Sequence, residues 1–358
     1  MGFSRVRFNN FRNIEPREIK WSPGLNLLTG ANGSGKTNIL EGINIIAGWG
    51  PLERGTRTAS LPTWNSGSEV VQLTGQLDGP FGDIIQVRIE GRASMRFNEK
   101  QLSAAELRWK TPVLSFLPND MAILEDSASY RRRMLDMLLA ILIPAYAMRL
   151  HEYRRGVRQK AAMLKRGVPT RIVDRALEPH AVWIWRMRQK AVELLSECLA
   201  ELGGLAPVKV DLKLSRGGAG FCADEEEDYR RGLSENGSRE QLLKVCLTGP
   251  HRDDLIITAG GMPAAEALSR GYRRRTAIAL MLASADGVKR KLGKEPVLLL
   301  DEVTAELDEE GRGVLFAALA ARRTQAFAAT AEPFIGGFPG AVYSVSEGRV
   351  DLKNETGR

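Results

Sequence analysis

Gly30-Ala31-Asn32-Gly33-Ser34-Gly35-Lys36-Thr37 is the stretch that decides how this chain folds. It satisfies the G-x-x-x-x-G-K-[ST] pattern in full, and its neighbours supply the context that pattern demands. Before it, Ser22-Pro23-Gly24 makes a turn and Leu25-Asn26-Leu27-Leu28 is a short apolar strand. After it, Ile39, Leu40, Ile43, Ile46 and Ala47 recur at helical spacing until Gly48 ends the run. Strand, glycine loop and helix in that order make a phosphate cradle. The glycines let successive N–H groups curl toward phosphate oxygens, and the helix adds its positive end. Lys36 reaches the β- and γ-phosphates, where it also serves the chemistry, and the Thr37 hydroxyl can ligand Mg²⁺. ATP and Mg²⁺ are the expected cofactors, held by Gly30 to Thr37 with Asn38 beside them. A merely flexible glycine-rich loop is the alternative reading.

Working outward, Leu298-Leu299-Leu300-Asp301-Glu302 is an apolar strand ending in two carboxylates. Beside the glycine-loop strand, Asp301 would hold Mg²⁺ and Glu302 would orient or deprotonate an attacking water. Any strand can end in Asp-Glu; the loop upstream gives the pair its meaning. Thr304-Ala305-Glu306-Leu307-Asp308 follows and resembles the D-loop of ABC-type ATPases, which places Asp308 at the nucleotide. Upstream, Leu268-Ser269-Arg270-Gly271-Tyr272 opens a helix as the ABC signature L-S-G-G-Q does, with Ser269 and Gly271 as its anion-binding residues. Arg270 stands where a small or amide residue is usual, and Tyr272 where the glutamine is. A plain helix N-cap is the alternative for Ser269. The insert between loop and Asp-Glu strand is longer than in transporter ATPases, and it lacks the hundreds of coiled-coil residues of SMC proteins.

The remaining chain of 358 residues is long enough for two lobes. Ser4 to Phe8 alternates as a half-buried strand, and residues 69 to 97 read as a β-meander bounded by glycine turns. From Ser129 to Leu202 the composition is helical, with expected interruptions at Pro144, Gly167 to Pro169 and Pro179. The polar stretch from Gly217 to Gly237 reads as surface loops with a short helix. A helix from Tyr272 to Lys291 and the strand Pro296 to Leu300 return to α/β alternation.

Lys and Arg number 51 against 43 Asp and Glu, a formal charge of +8 that favours a polyanionic partner. The excess concentrates between Tyr130 and Lys190, for which a solvated helix face is the alternative. No apolar h-region opens the chain, no apolar run is long enough to span a bilayer, and the three cysteines are sparse. Those features lead us to expect a cytoplasmic protein without a membrane partner.

Further blocks are specific. Asn10-Phe11-Arg12-Asn13, the loop-helix GANGSGKTNILEGI, Ser115 to Asp120, Tyr130 to Asp136, Pro144 to Tyr146, Tyr153 and Gly249-Pro250-His251-Arg252-Asp253-Asp254-Leu255 stand in the order of the RecF family of bacterial recombination mediators. The chain resembles that family over nearly its whole length. The resemblance implies Arg12 and Asn13 near the bound nucleotide, Asn119 near the Q-loop position, and Thr330 in the region of the switch histidine. Ordinary loop residues are the alternative for the last two. His251 reads as a structural hydrogen-bonding residue, with a catalytic role as the alternative.

The expected fold is therefore α/β, a P-loop NTPase of ABC-ATPase head-like two-lobed form. Lobe I would comprise residues 1–116 plus 288–358, and a mostly helical lobe II residues 117–287 with the signature near its end. The resemblance implies an ATP-dependent homodimer clamping double-stranded DNA or single/double-strand junctions near gaps or stalled forks. Weak DNA-stimulated hydrolysis would release it, and mediators of the RecR and RecO type would be its partners, in DNA repair, replication and the SOS response. A clamp that binds ATP without hydrolysing it, or another ABC-type ATPase, are the competing readings.

Overall fold

The computed structural model describes residues 2–53, 55–125, 127–202, 205, 208–220, 224–302, 307, 309–322, 324–331 and 338–355. The chain divides into two compact units, residues 1–122 with 270–358, and residues 123–269.

In the first unit the chain lays down β1 (Phe3–Asn9), β2 (Glu18–Lys20) and β3 (Leu25–Thr29), then the glycine loop and α1 (Lys36–Ile46). The meander follows as β4 (Val71–Leu77), β5 (Ile84–Glu90), β6 (Arg92–Phe97) and the short β7 (Lys100–Gln101). Next come α2 (Ala104–Lys110), started by a Ser103–Glu106 capping box, and β8 (Val113–Phe116).

The second unit holds α3 (Ala128–Leu142), α4 (Pro144–Lys165), α5 (Arg171–Glu201), β9 (Val210–Ser215), α6 (Glu225–Leu243), β10 (Asp254–Ala259), β11 (Met262–Pro263) and the one-turn α7 (Ala264–Ala267). Helices α3, α4 and α5 pack on one another, and a three-stranded antiparallel sheet, β11-β10-β9, lies against α3 and α5. Two expectations change here. Pro179 does not interrupt: α5 runs through it for 31 residues, with the proline on the exposed side. The stretch expected as surface loops with a short helix carries a longer one, the 19-residue α6. Asp224 caps that helix by accepting from the Glu227 N–H at 2.8 Å, and Glu225, Glu226, Glu227 and Asp228 complement its positive end. Pro144 behaves as its chemistry dictates, opening α4 at the first turn, where no N–H is needed.

The return segment completes the first unit with α8 (Arg270–Leu292), β12 (Val297–Asp301), α9 (Glu309–Ala320), β13 (Ala326–Thr330), β14 (Ala341–Ser346) and β15 (Arg349–Glu355). One sheet, ordered β2-β1-β4-β5-β6-β7, is antiparallel throughout. The other, ordered β15-β14-β3-β13-β12-β8, is parallel except at β14–β15. Helix α1 packs on β4 and β5 of the first and on β12 and β13 of the second. That explains why it is buried nearly all round, through Ile39, Leu40, Ile43, Ile45 and Ile46. The units part at 122/123 and 269/270, where the sequence boundaries stood at 116/117 and 287/288. Helix α8 thus belongs with the first unit, tied there by Arg275 to Glu310 of α9 and by Asp286 to Arg322.

Candidate functional site

Strand β3 delivers the glycine loop at the carboxyl edge of the parallel sheet, where ligands of open α/β sheets bind. Register puts Leu28, Ala329 and Asp301 level on β3, β13 and β12, so Asp301 ends its strand two strands from the loop. Gly35 precedes α1 with φ 114°, a backbone conformation that a side chain would strain.

The sequence-predicted residues meet closely here. Thr37 Oγ1 lies 3.1 and 3.0 Å from Asp301 Oδ1 and Oδ2. Lys36 Nζ donates to the carbonyls of Gly30 at 2.8 Å and Ala31 at 3.0 Å. Burial pulls the Lys36 ammonium below its ordinary pKa, opposed by the charges of Glu302 and Asp301. Burial pushes the Asp301 carboxyl up, opposed by the Thr37 hydrogen bond, while the neighbouring Glu302 charge adds to the rise. Glu302 stands at φ 50°, unusual for a residue with a side chain, and its N–H donates to Ala329 O at 3.0 Å.

Three features bear on phosphate and metal. Ser34 Oγ is buried and makes no hydrogen bond among the described residues, an uncompensated donor inside the loop. Thr37 and Asp301 offer the hydroxyl and carboxylate that Mg²⁺ takes alongside phosphate oxygens and water. Among the described residues no group of three or more His, Cys, Asp and Glu could hold a metal; a Mg²⁺–nucleotide site needs no such cage.

Asn13 bridges the loop, donating to Gly33 O at 3.3 Å and accepting from Asn38 Nδ2 at 2.8 Å. Arg12, next to Asn13 in the chain, is held by protein partners. Its guanidinium grips the buried Glu41 of α1 at 2.8 and 3.3 Å and donates to Ser60 O at 3.0 Å, bracing the loop's surroundings. A polar cleft of about 760 Å³ opens beside Asn13, walled by Asn10, Thr63, Ser66, Ser68, Arg88 and Glu347 among others.

Ser269, Arg270, Gly271 and Tyr272 are exposed at the start of α8; Ser269 closes the second unit and Gly271 belongs to the first. Asn119 is exposed in a 3-10 turn (Pro118–Leu124) just beyond β8. Thr330 is buried opposite Thr29 in the register of β13 and β3. Of the D-loop, Leu307 is buried, while Thr304, Ala305, Glu306 and Asp308 lie outside the described residues.

Sequence reasoning missed the turn between β14 and β15. Gly348 N–H donates to Ser34 O at 2.8 Å and its carbonyl accepts from Glu15 N at 3.1 Å. It stands at φ 80°, and a Cβ there would fall 1.7 Å from Asn13 O. Glu347-Gly348 reads only as a hairpin turn in the sequence; nothing local connects it to a loop more than 300 residues away.

In the second unit the separate sequence blocks converge on one buried web. Asp136 accepts from Tyr146 Oη at 2.6 Å and from Arg188 at 2.9 Å. Arg188, itself buried, also meets Asp253 at 2.6 Å, and Asp253 accepts from Trp185 Nε1 at 2.7 Å. Arg131 pairs with Asp254 at 2.6 Å, and Arg132 donates to Asp253 O. His251 Nε2 faces Cys246 O at 3.1 Å, a partner that only accepts, so its Nδ1 accepts from Tyr153 Oη at 2.7 Å. Burial lowers its pKa to about 4, which keeps the ring neutral. The basic excess of this region is thus partly internal; the buried Lys160 joins it through Asp174 and Glu240. Arg155, Arg158, Lys165, Arg166, Arg171, Arg175 and Lys190 are exposed without an ion pair among the described residues.

Fold and site together define a P-loop ATPase of the ABC head type. Residues 5–108 match an AAA domain family. Over 99% of its length the chain is 30% identical to the DNA replication and repair protein RecF of Heliobacterium modesticaldum, all of which it covers. The chain belongs to the RecF family of DNA replication and repair proteins. Its fold is similar to that of the recombination mediator protein RecF-ATPrS in the RecFOR pathway, with TM-score 0.87, 23% identity and 98% of this chain and 97% of the other covered. It is also similar to the Smc head bound to the C-winged helix domain of ScpA, with TM-score 0.59, 17% identity and coverage of 99% and 97%.

Proposed function

We propose that this chain is an ATP-driven DNA-binding protein of recombinational repair, and a slow ATPase stimulated by DNA. The observation that carries it is the Thr37–Asp301 contact with Lys36 and Glu302 alongside, which unites both halves of an ATPase centre. Glycine-loop N–H groups and Lys36 take the phosphates, Thr37 and Asp301 hold Mg²⁺, and Glu302 activates water. Asn13 and Asn38 brace the loop.

The exposed Ser269 and Gly271 of a second copy would close over the γ-phosphate, with Asp308 beside them, giving a two-nucleotide homodimer. ATP then favours the closed pair that grips duplex DNA near gaps or stalled forks, and hydrolysis reverses the bias. Mediators of the RecR and RecO type would couple the clamp to recombinase loading. We place it in the cytoplasm; among the described residues no helix is long and apolar enough to cross a membrane.

The test is duplex-DNA binding and self-association, each measured with ATP, ADP and no nucleotide across a salt series. Both should rise with ATP and fall with ADP; indifference of both to nucleotide would sink the switch. A non-hydrolysing clamp is the competing reading, which the placement of Glu302 beside Asp301 disfavours.

A further inference from the structure

The six-stranded antiparallel sheet buries one face against α1 and gives the other to solvent. Register identifies the outer residues, because directly paired residues on antiparallel strands point to the same side. One row crosses all six strands: Glu18, Arg7, Thr74, Gln86, Arg96 and Gln101. Further rows on the same face set Lys20 beside Arg5, Gln72 beside Arg88, and Glu90 beside Arg92. The alternation of buried and exposed residues along β1 and β5 agrees with that assignment.

Cations dominate the face. Its two carboxylates are already engaged, Glu18 by Arg5 at 2.9 Å and Glu90 by Arg88 at 2.7 Å. Arg7, Lys20, Arg92 and Arg96 are exposed and make no ion pair among the described residues. Between them stand uncharged hydrogen-bonding side chains, Gln72, Thr74, Gln76 and Gln86. Among the described residues the face presents no aromatic ring, and Ile84, 42% exposed, is its one large exposed hydrophobic residue.

We propose that this sheet face binds duplex nucleic acid along its phosphate backbone, an assignment that rests on the DNA-binding reading above. Unneutralised arginines spaced among amides suit phosphate and sugar oxygens, and give binding without sequence preference. Arg7 and Arg96 stand three strand spacings apart, ~14 Å. That is close to the width of a major groove, ~12 Å, so the pair reaches phosphates on both strands. The absence of an aromatic platform disfavours single strands. The shortage of exposed apolar surface disfavours a protein partner, whose interface core would be depleted of charge. The exposed cations of α4 and α5 are less well matched, because Val168 and Ile172, 45% and 83% exposed, stand among them and gain nothing from phosphate.

The experiment uses the full chain with ATP and a fluorescein-labelled duplex, reading affinity against salt. The triple substitution Arg7→Glu, Arg92→Glu, Arg96→Glu should lower affinity at least ~10-fold and flatten the log–log salt slope by about two to three, since each lost phosphate contact removes about 0.9. Arg→Lys at the same three positions should restore both, which separates charge from misfolding. The set Arg155→Glu, Arg158→Glu, Arg171→Glu should leave more of the slope than the sheet triple does. An unchanged slope in the sheet triple, or a Lys triple as weak as the Glu triple, overturns the assignment. Wild-type protein that ignores duplex in every nucleotide state would instead overturn the DNA-binding reading beneath it.

Discussion

Glu302 follows Asp301, which already meets Thr37, and its left-handed backbone turns it away from the strand direction. Glutamine keeps the size and removes the basicity, so Glu302→Gln should lower ATP turnover by ~10²–10⁴-fold while leaving ATP binding intact. Single-turnover hydrolysis beside nucleotide binding checks it; turnover at the wild-type rate would remove Glu302 from the chemistry. His251 offers a second test. Its folded pKa is about 4 against an ordinary 6.5, so the unfolded chain binds its proton first. The stability it contributes is complete above pH 6.5 and is lost as the pH falls toward 4. Imidazole carbon shifts in histidine-labelled protein should show one ring still neutral at mildly acid pH. A His251 ring that titrates near 6.5 would contradict the buried Tyr153–His251–Cys246 chain. At this scale the sequence was most informative where chemistry demands a fixed spacing, as from Gly30 to Thr37. Arg12 shows the limit: the family resemblance implies a place near nucleotide, and only a fold can add that Glu41 takes its guanidinium.

Elements were legible where periodicity was clean and obscure where several signals competed. The apolar run of β3, the alternation of β1 and the spacing in α1 all formed as read. The full length of helix α6 was hidden because Gly232 and Gly237 lower helix propensity. Gly232 is there for packing, since a Cβ would stand 2.9 Å from Thr248 Cγ2. Strand β9 went unread because its partner β10 lies some 40 residues further along the chain and no tight turn joins them. Pro179 misled in the opposite sense. Tertiary packing of Val173, Leu177, Ala181, Val182 and Trp185 carries α5 across a residue that lacks the N–H for Arg175 O. That defect should be measurable: Pro179→Ala restores one hydrogen bond on an exposed face and should stabilise α5 by up to about 3 kcal/mol. Peptide-resolved hydrogen exchange should then slow between residues 176 and 184. Faster exchange there would mean the proline's rigidity matters more than the bond it removes.

At the scale of the whole molecule the central question is whether the ATPase centre belongs to one chain or two. Lys36, Thr37 and Asp301 come together within a single first unit, whereas Ser269 and Gly271 stand exposed at the head of α8. A symmetric pair in which each copy's signature closes the other's loop would use that exposure, with two identical sites across one isologous interface. The arrangement has a consequence that no intramolecular site shares. Lys36→Ala destroys the phosphate grip of its own chain, and Ser269→Arg destroys the closure it offers to a partner. Each variant alone should be inactive, because every site in its homodimer contains the lesion. In a mixed dimer both lesions fall into one site, and the other combines an intact Lys36 with an intact Ser269. Random pairing of equal amounts should therefore recover about a quarter of the wild-type DNA-stimulated ATP turnover, if the two sites fire independently. Titrating one variant into the other at fixed total protein gives the measurement, with a maximum at equal amounts. A flat line at zero would mean that each chain closes its own site, or that both sites must fire together. Adding Glu302→Gln to the Ser269→Arg chain separates those two outcomes through binding alone: a mixed dimer that traps one ATP per pair is possible only if the loop of one chain is closed by the other.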